Sequence, residues 1–201
     1  MDLINFLFPK ECLECKDTGR YICSNCVQKV RVGGLVEIGN LKVYSVWKYE
    51  GVIRKAIISL KYKFATEIAE ELTVNISNYL PLKSKSYILA PIPMHWHKKN
   101  IRGFNQTEII GENLAKIMDW KYIPNLLLKK SKSLPQVGLK SEVRRENLSG
   151  VFEINSEIKI SKTSKILLFD DVLTTGSTIV EATKVLKSSG FNNIIGLTIA
   201  R

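Results

Sequence analysis

The sequence predicts an α/β chain with a mostly parallel sheet flanked by helices and a small N-terminal metal-binding module. Three observations predict it. Apolar strand-like runs alternate with segments of helical period along most of the 201 residues. Cys12-x-x-Cys15 and Cys23-x-x-Cys26 place four thiols within 15 residues. Ile166-Leu167-Leu168-Phe169, a buried-strand pattern, runs directly into Asp170-Asp171-Val172-Leu173-Thr174-Thr175-Gly176-Ser177-Thr178.

The chain opens on an apolar stretch, Met1 to Phe8, that has no basic leader region and is cut by Pro9, so it does not read as a signal peptide. No run approaches the roughly 18 apolar residues of a spanning helix, and neither membrane insertion nor export is expected. In a reducing cytoplasm, thiols stay free for metal. Each Cys-x-x-Cys turn presents two thiolates, and two turns complete a closed tetrahedral site of the kind that holds structural zinc. The intervening Lys16–Ile22 has too little apolar content to hold itself together, so the metal would supply folding free energy. An iron–sulfur or redox use needs the same four thiolates, and spacing alone does not separate these.

Gly33-Gly34 reads as a hinge or turn, which places a boundary near residue 34 between a module over 1–34 and a main domain over 35–201. Leu41–Trp47 then fits a strand. Val52, Ile53, Ala56, Ile57 and Leu60 share one helical face, and Ile68, Leu72, Ile76 and Leu80 recur every four residues. Tyr87–Ala90 is a short buried strand leading into Pro91-Ile92-Pro93. A helix follows from Asn105, with Ile109, Ile110, Leu114 and Ile117 on one side and Asn105 or Thr107 as its cap. Residues 129–150, rich in Lys, Ser and Arg, lack a core face and are expected to form a loop. Phe152–Ile154 and Lys165–Phe169 read as strands, Thr178–Lys187 as a helix and Ile194–Ala200 as a last buried strand.

Composition bounds function as well. With 45% hydrophobic residues the chain is not disordered, and its net charge is +11. Residues 48–63, 83–103 and 121–150 together carry +14, so positive potential should gather where these segments meet and steer phosphate-rich ligands there.

The Asp170–Thr178 segment carries the chemistry. Two adjacent carboxylates can accept hydrogen bonds from a vicinal diol, while hydroxyls and free N–H groups at a helix start suit a phosphate. Ribose 5-phosphate has both features. An ATPase metal-binding strand is the rival, but the chain contains no Gly-x4-Gly-Lys-[Ser/Thr].

Leu167–Thr178 resembles the phosphoribosyl pyrophosphate signature of type I phosphoribosyltransferases: an apolar strand, two acids, two residues, then Thr-Thr-Gly-Ser/Thr-Thr. The wider chain resembles the ComF family of bacterial competence-associated proteins, which join a four-cysteine module to that fold. The supporting residues are Pro91-Ile92-Pro93, Arg102-Gly103-Phe104-Asn105-Gln106, Gln136, Gly138-Leu139, Arg144, Asn147 and Ala200-Arg201.

The resemblance implies a type I phosphoribosyltransferase fold that binds phosphoribosyl pyrophosphate with Mg2+. In it Asp170 and Asp171 hold the ribose hydroxyls and Val172 to Thr178 cradle the 5-phosphate. Arg102, Gly103 and Asn105 form the pyrophosphate loop, assisted by Lys98 and Lys99, and 131–149 is a flexible loop bringing Arg144 and Arg145. Asp170, Asp171 and Arg102 are the expected catalytic residues. Residues 35–63 are the expected hood that selects an acceptor, Lys61 among them, and His95 and His97 receive no role. The alternative is a non-catalytic factor that uses the fold as a platform for single-stranded DNA or DNA-uptake proteins, with Lys129, Lys130 and Lys132 as a candidate surface.

Overall fold

The computed structural model describes residues 9–60, 65–82, 84–94, 105–130 and 150–201. After a five-residue helix α1 (Ser24–Gln28), strands β1 (Val32–Ile38) and β2 (Leu41–Trp47) form an antiparallel hairpin. Helices α2 (Gly51–Ser59) and α3 (Ala65–Tyr79) precede β3 (Tyr87–Pro91), and α4 (Gln106–Met118) precedes the short β4 (Lys121–Tyr122). A two-stranded antiparallel ribbon, β5 (Leu127–Lys129) with β6 (Phe152–Ile154), lies apart from the main sheet. Finally β7 (Lys165–Val172), α5 (Ser177–Ser188) and β8 (Ile194–Ala200) follow.

The main sheet has six strands in the order β1-β2-β8-β7-β3-β4, parallel everywhere except between β1 and β2. Helices cover both faces, which is why β3, β7 and β8 are nearly continuous buried runs rather than alternating ones. Leu89, Leu167, Phe169, Leu197 and Ile199 face one core, with Ile53 and Ala56 of α2, Leu72 and Ile76 of α3, and Ile110 and Leu114 of α4. Ile88, Ala90, Ile166 and Leu168 face the other, with Ile179, Ala182 and Leu186 of α5 and with Leu127 and Phe152 of the ribbon.

Four expectations change. Gly33-Gly34 is no hinge but lies inside β1. A Cβ on Gly33 would sit against the Ser45 carbonyl oxygen and 2.7 Å from that of Trp47, so only glycine lets β1 approach β2 this closely. Gly33→Ala is therefore expected to destabilise the chain by about 2–3 kcal/mol, checked by denaturant unfolding, because the opposing atoms are backbone and cannot move aside. Ile117 is exposed at the end of α4, whereas Ile110 and Leu114 are buried. Lys129, expected in a loop, ends β5, and β7 continues through Asp170, Asp171 and Val172 because these residues still pair with β8 up to Val172 opposite Ala200.

The cysteine segment packs on the first core, where Ile22, Val27 and Val30 join Val46, Trp47, Val52 and Ile53. Glu71 Oε2 accepts from the Ile22 N–H at 2.8 Å, and ion pairs Lys10–Glu67 (3.2 Å) and Lys55–Glu14 (3.1 Å) tie the segment to α3 and α2. Among the described residues no helix is long and apolar enough to cross a membrane.

Candidate functional site

At the carboxyl ends of β3 and β7 lies a cavity of about 460 Å³. Open α/β sheets hold their ligands at these strand ends. Its polar lining is Asp170, Asp171, Thr174 and Thr178 on one side and Asn105, Thr107 and Lys129 on the other. Tyr49 and Ile57 join Ile92, Pro93 and Met94 in an apolar wall. Residues of all three basic segments line this cavity, and Lys129 is the base among the described residues that reaches its wall.

Local chemistry fixes the two acids. The Asp170 carboxylate accepts from the Asp171 N–H at 2.9 Å, and that of Asp171 from the Val172 N–H at 2.7 Å, so each side chain is held by the next peptide. Burial raises the Asp170 carboxyl to about 7, the Asp171 charge adds to this, and Lys129 partly opposes it. The sign follows directly. A carboxyl that keeps its proton longer in the folded chain makes that chain lose stability as pH rises from about 4 to about 7. Asp170→Asn should remove this slope, so the ligand-free variant melts above wild type at pH 8 but not at pH 4. Melting curves at the two pH values check it.

After Asp171 the chain turns through Gly176, whose φ of 73° is left-handed and whose Cβ would stand 2.5 Å from Ile38 Cδ1. The left-handed backbone is what calls for glycine there, since the end of the Ile38 side chain can move aside. The turn delivers Ser177 to the first position of α5, with the Thr175 and Ser177 hydroxyls 2.8 Å apart. Asn105 is the cap of α4, as its position predicts. Its Oδ1 accepts from the Thr107 N–H at 3.2 Å and hydroxyl at 2.7 Å, and Thr107 faces the same cavity. Arg102, Gly103, Arg144 and Arg145 lie outside the described residues, as do Lys61, His95, His97, Lys98, Lys99 and the 131–149 loop.

The four cysteines form a second centre. Their Sγ atoms all lie within 4.8 Å of one another, with Cys15 and Cys23 3.6 Å apart. A tetrahedral ion with bonds of about 2.3 Å places thiolates about 3.8 Å apart, so the donor set fits a four-sulfur metal site. Burial pushes the Cys12 thiol up, but hydrogen bonds from the Cys15, Cys23 and Glu14 backbone outweigh it and hold the thiol at about 6. Burial and the neighbouring thiols push Cys26 up to about 12. Cys12 is thus ready to bind as a thiolate, whereas Cys26 sheds its proton readily only to a cation.

With this geometry in place, comparison with known proteins is informative. Competence protein F of Haemophilus influenzae is 29% identical over 113 residues, covering 56% of this chain and 49% of that protein. Competence protein ComFC of Streptococcus pneumoniae is 31% identical over 160 residues, covering 79% and 61%. The chain is a homologue of the ComF competence proteins. It spans about half the length of the Haemophilus protein it matches. DNA utilization protein YhgH of Escherichia coli K12 is 22% identical over 174 residues, 84% of this ComF homologue and 72% of YhgH. No family model matches the chain. Solved structures similar to it include adenine phosphoribosyltransferase from Thermoanaerobacter pseudethanolicus (15% identity, 88% of this chain and 97% of that one, TM-score 0.40) and hypoxanthine phosphoribosyltransferase from Staphylococcus aureus (16%, 66% and 60%, TM-score 0.35).

Sequence reasoning missed the part of this ComF homologue's site that comes from scattered elements. Tyr49, Ile57, Met94, Thr107 and Lys129 carry no motif of their own. For Lys129 the available signal was its place at the end of an apolar triplet, Leu126-Leu127-Leu128, which makes it a strand terminus rather than loop.

Proposed function

We propose that the chain binds phosphoribosyl pyrophosphate, or a related ribose phosphate, with Mg2+, and transfers the phosphoribosyl group to an acceptor. The observation that carries this reading is the single cavity onto which the two carboxylates and the Thr174 and Thr178 hydroxyls open at the carboxyl end of the sheet. In this reading Asp170 and Asp171 hold the ribose hydroxyls, and the turn from Val172 to Thr178 receives the 5-phosphate at the start of α5. Arg102, Gly103, Asn105 and Arg144 are assigned to the pyrophosphate end. Mg2+, bound with the ligand, would supply charge neutralisation for the departing pyrophosphate. The bond from the anomeric carbon to pyrophosphate breaks with its electron pair leaving on pyrophosphate, and the acceptor supplies the electron pair of the new bond and loses a proton. Burial in a cavity with an apolar wall shields the cationic sugar from water.

The four cysteines in this reading hold one structural zinc ion with no open position, and residues 1–34 form the module around it. The test is calorimetric titration of the metal-loaded chain with phosphoribosyl pyrophosphate and Mg2+. Saturable one-to-one binding supports the reading, and an absence of heat at millimolar ligand rejects it. The competence and DNA-utilization names of the relatives favour a second reading, a platform for single-stranded DNA. It requires salt-sensitive binding of an oligonucleotide, and affinity unchanged by charge reversal at Lys130 and Lys132 would count against that surface.

A further inference from the structure

Beneath the ligand cavity, three neighbouring strands place polar residues side by side in the sheet. Thr198 of β8 is in register with Ser45 of β2 on one side and with Asp170 of β7 on the other. Neighbours in register on parallel strands point to the same face, here the face covered by α5. Ser45 and Thr198 are fully buried, in a predominantly apolar layer. Burying hydroxyls is unfavourable unless they are hydrogen-bonded, and a Val–Ala pair would fill the space without that demand.

Their bonds lead to one place. Ser45 Oγ and Thr198 Oγ1 are 2.7 Å apart. Thr198 Oγ1 donates to the Ala200 carbonyl at 3.3 Å, which makes Ser45 the donor within the pair. The same Ala200 carbonyl accepts from the Leu173 N–H at 2.8 Å. Leu173 is the residue at which the chain leaves β7 and enters the Thr174–Thr178 turn. In addition, Thr198 lines a small, partly open cavity of about 20 Å³ at that turn, together with Asp170, Thr174, Gly176, Ser177 and Thr178. That volume suits one water-sized polar group, and the walls supply the partners it needs.

We propose that Thr198, backed by Ser45, is a positioning residue for the phosphate-binding turn: it fixes the Ala200 carbonyl that holds Leu173, and so sets where the turn begins. The role as stated rests on the ribose-phosphate reading, but the hydrogen-bond chain can be tested without ligand.

The experiment uses the full metal-loaded chain. Thr198→Val keeps the shape and removes the hydroxyl. Thr198→Ser keeps the hydroxyl. Ser45→Ala/Thr198→Val removes both partners and leaves no orphaned donor. Hydrogen exchange of the Leu173 amide should accelerate about tenfold in Thr198→Val and in the double variant, with Leu167 and Leu168 unchanged, and return to the wild-type rate in Thr198→Ser. Affinity for ribose 5-phosphate should fall about tenfold in the first two variants and recover in the third. An unchanged Leu173 amide, or acceleration shared equally by Leu167 and Leu168, overturns the proposal, as does unchanged ribose 5-phosphate affinity in Thr198→Val. A wild-type chain that fails to bind ribose 5-phosphate sinks the reading of the site, and Leu173 exchange still decides the hydrogen-bond chain.

Discussion

Asp170→Asn/Asp171→Asn is expected to weaken phosphoribosyl pyrophosphate binding by at least about 100-fold, since each carboxylate is assigned a charge-assisted hydrogen bond to a ribose hydroxyl, worth roughly 1.5–3 kcal/mol. The fold should survive, because both side chains line the cavity and belong to neither hydrophobic core. The variant also separates binding from folding. Removing two like charges at adjacent positions should leave the ligand-free chain no less stable at neutral pH, so lost affinity with an unchanged or raised melting temperature is the signature expected of a binding site. Affinity retained in this variant would mean that the carboxylates do not hold the ribose.

The second large effect concerns the cysteines. Cys23→Ser is expected to cost at least about 4 kcal/mol, a fall of about 8–16 °C in Tm for a chain of this size, and to abolish the stoichiometric metal. Cys23 and Cys26 are buried and belong to the same core cluster as Trp47 and Ile53. Loss of the metal would therefore disturb α2 and the end of β2 as well as the cysteine turns. Mass spectrometry of the native protein identifies the ion, and calorimetry of wild type and variant gives the shift. A variant that melts with wild type would mean that the cluster does not stabilise this core.

How far the sequence revealed all this depended on whether a feature was local. β3, β7 and β8 were legible because a strand buried on both faces writes itself as an uninterrupted apolar run. The four-cysteine cluster was legible because its ligands fall within 15 residues. The Asp170–Thr178 turn was legible for the same reason. β1 was not, since Val32 and Leu35 are exposed and two glycines interrupt the pattern, a composition indistinguishable from a hinge until the Ser45 and Trp47 carbonyls are seen beside Gly33. Nor was the cavity wall legible. Tyr49 and Met94 follow two strands, Thr107 lies in the first turn of α4 and Lys129 ends β5, and only the fold brings them together. The Ser45–Thr198 pair, 153 residues apart in sequence, is the extreme case.

The same sheet order has a consequence for biosynthesis. β8, the last described strand to emerge from a ribosome, is inserted between β2 and β7 and pairs with both. Until it arrives, the hairpin of β1 and β2 has no bond to the remainder of the sheet, and Val43 and Leu167 each lack a neighbour. The open edge of β2 must therefore wait while every later described strand is made, which makes the nascent chain a natural client for chaperones that shield such edges. Contacts spanning so much of the chain also form slowly, so the emergence of β8, rather than growth of the N-terminal half, starts the folding clock.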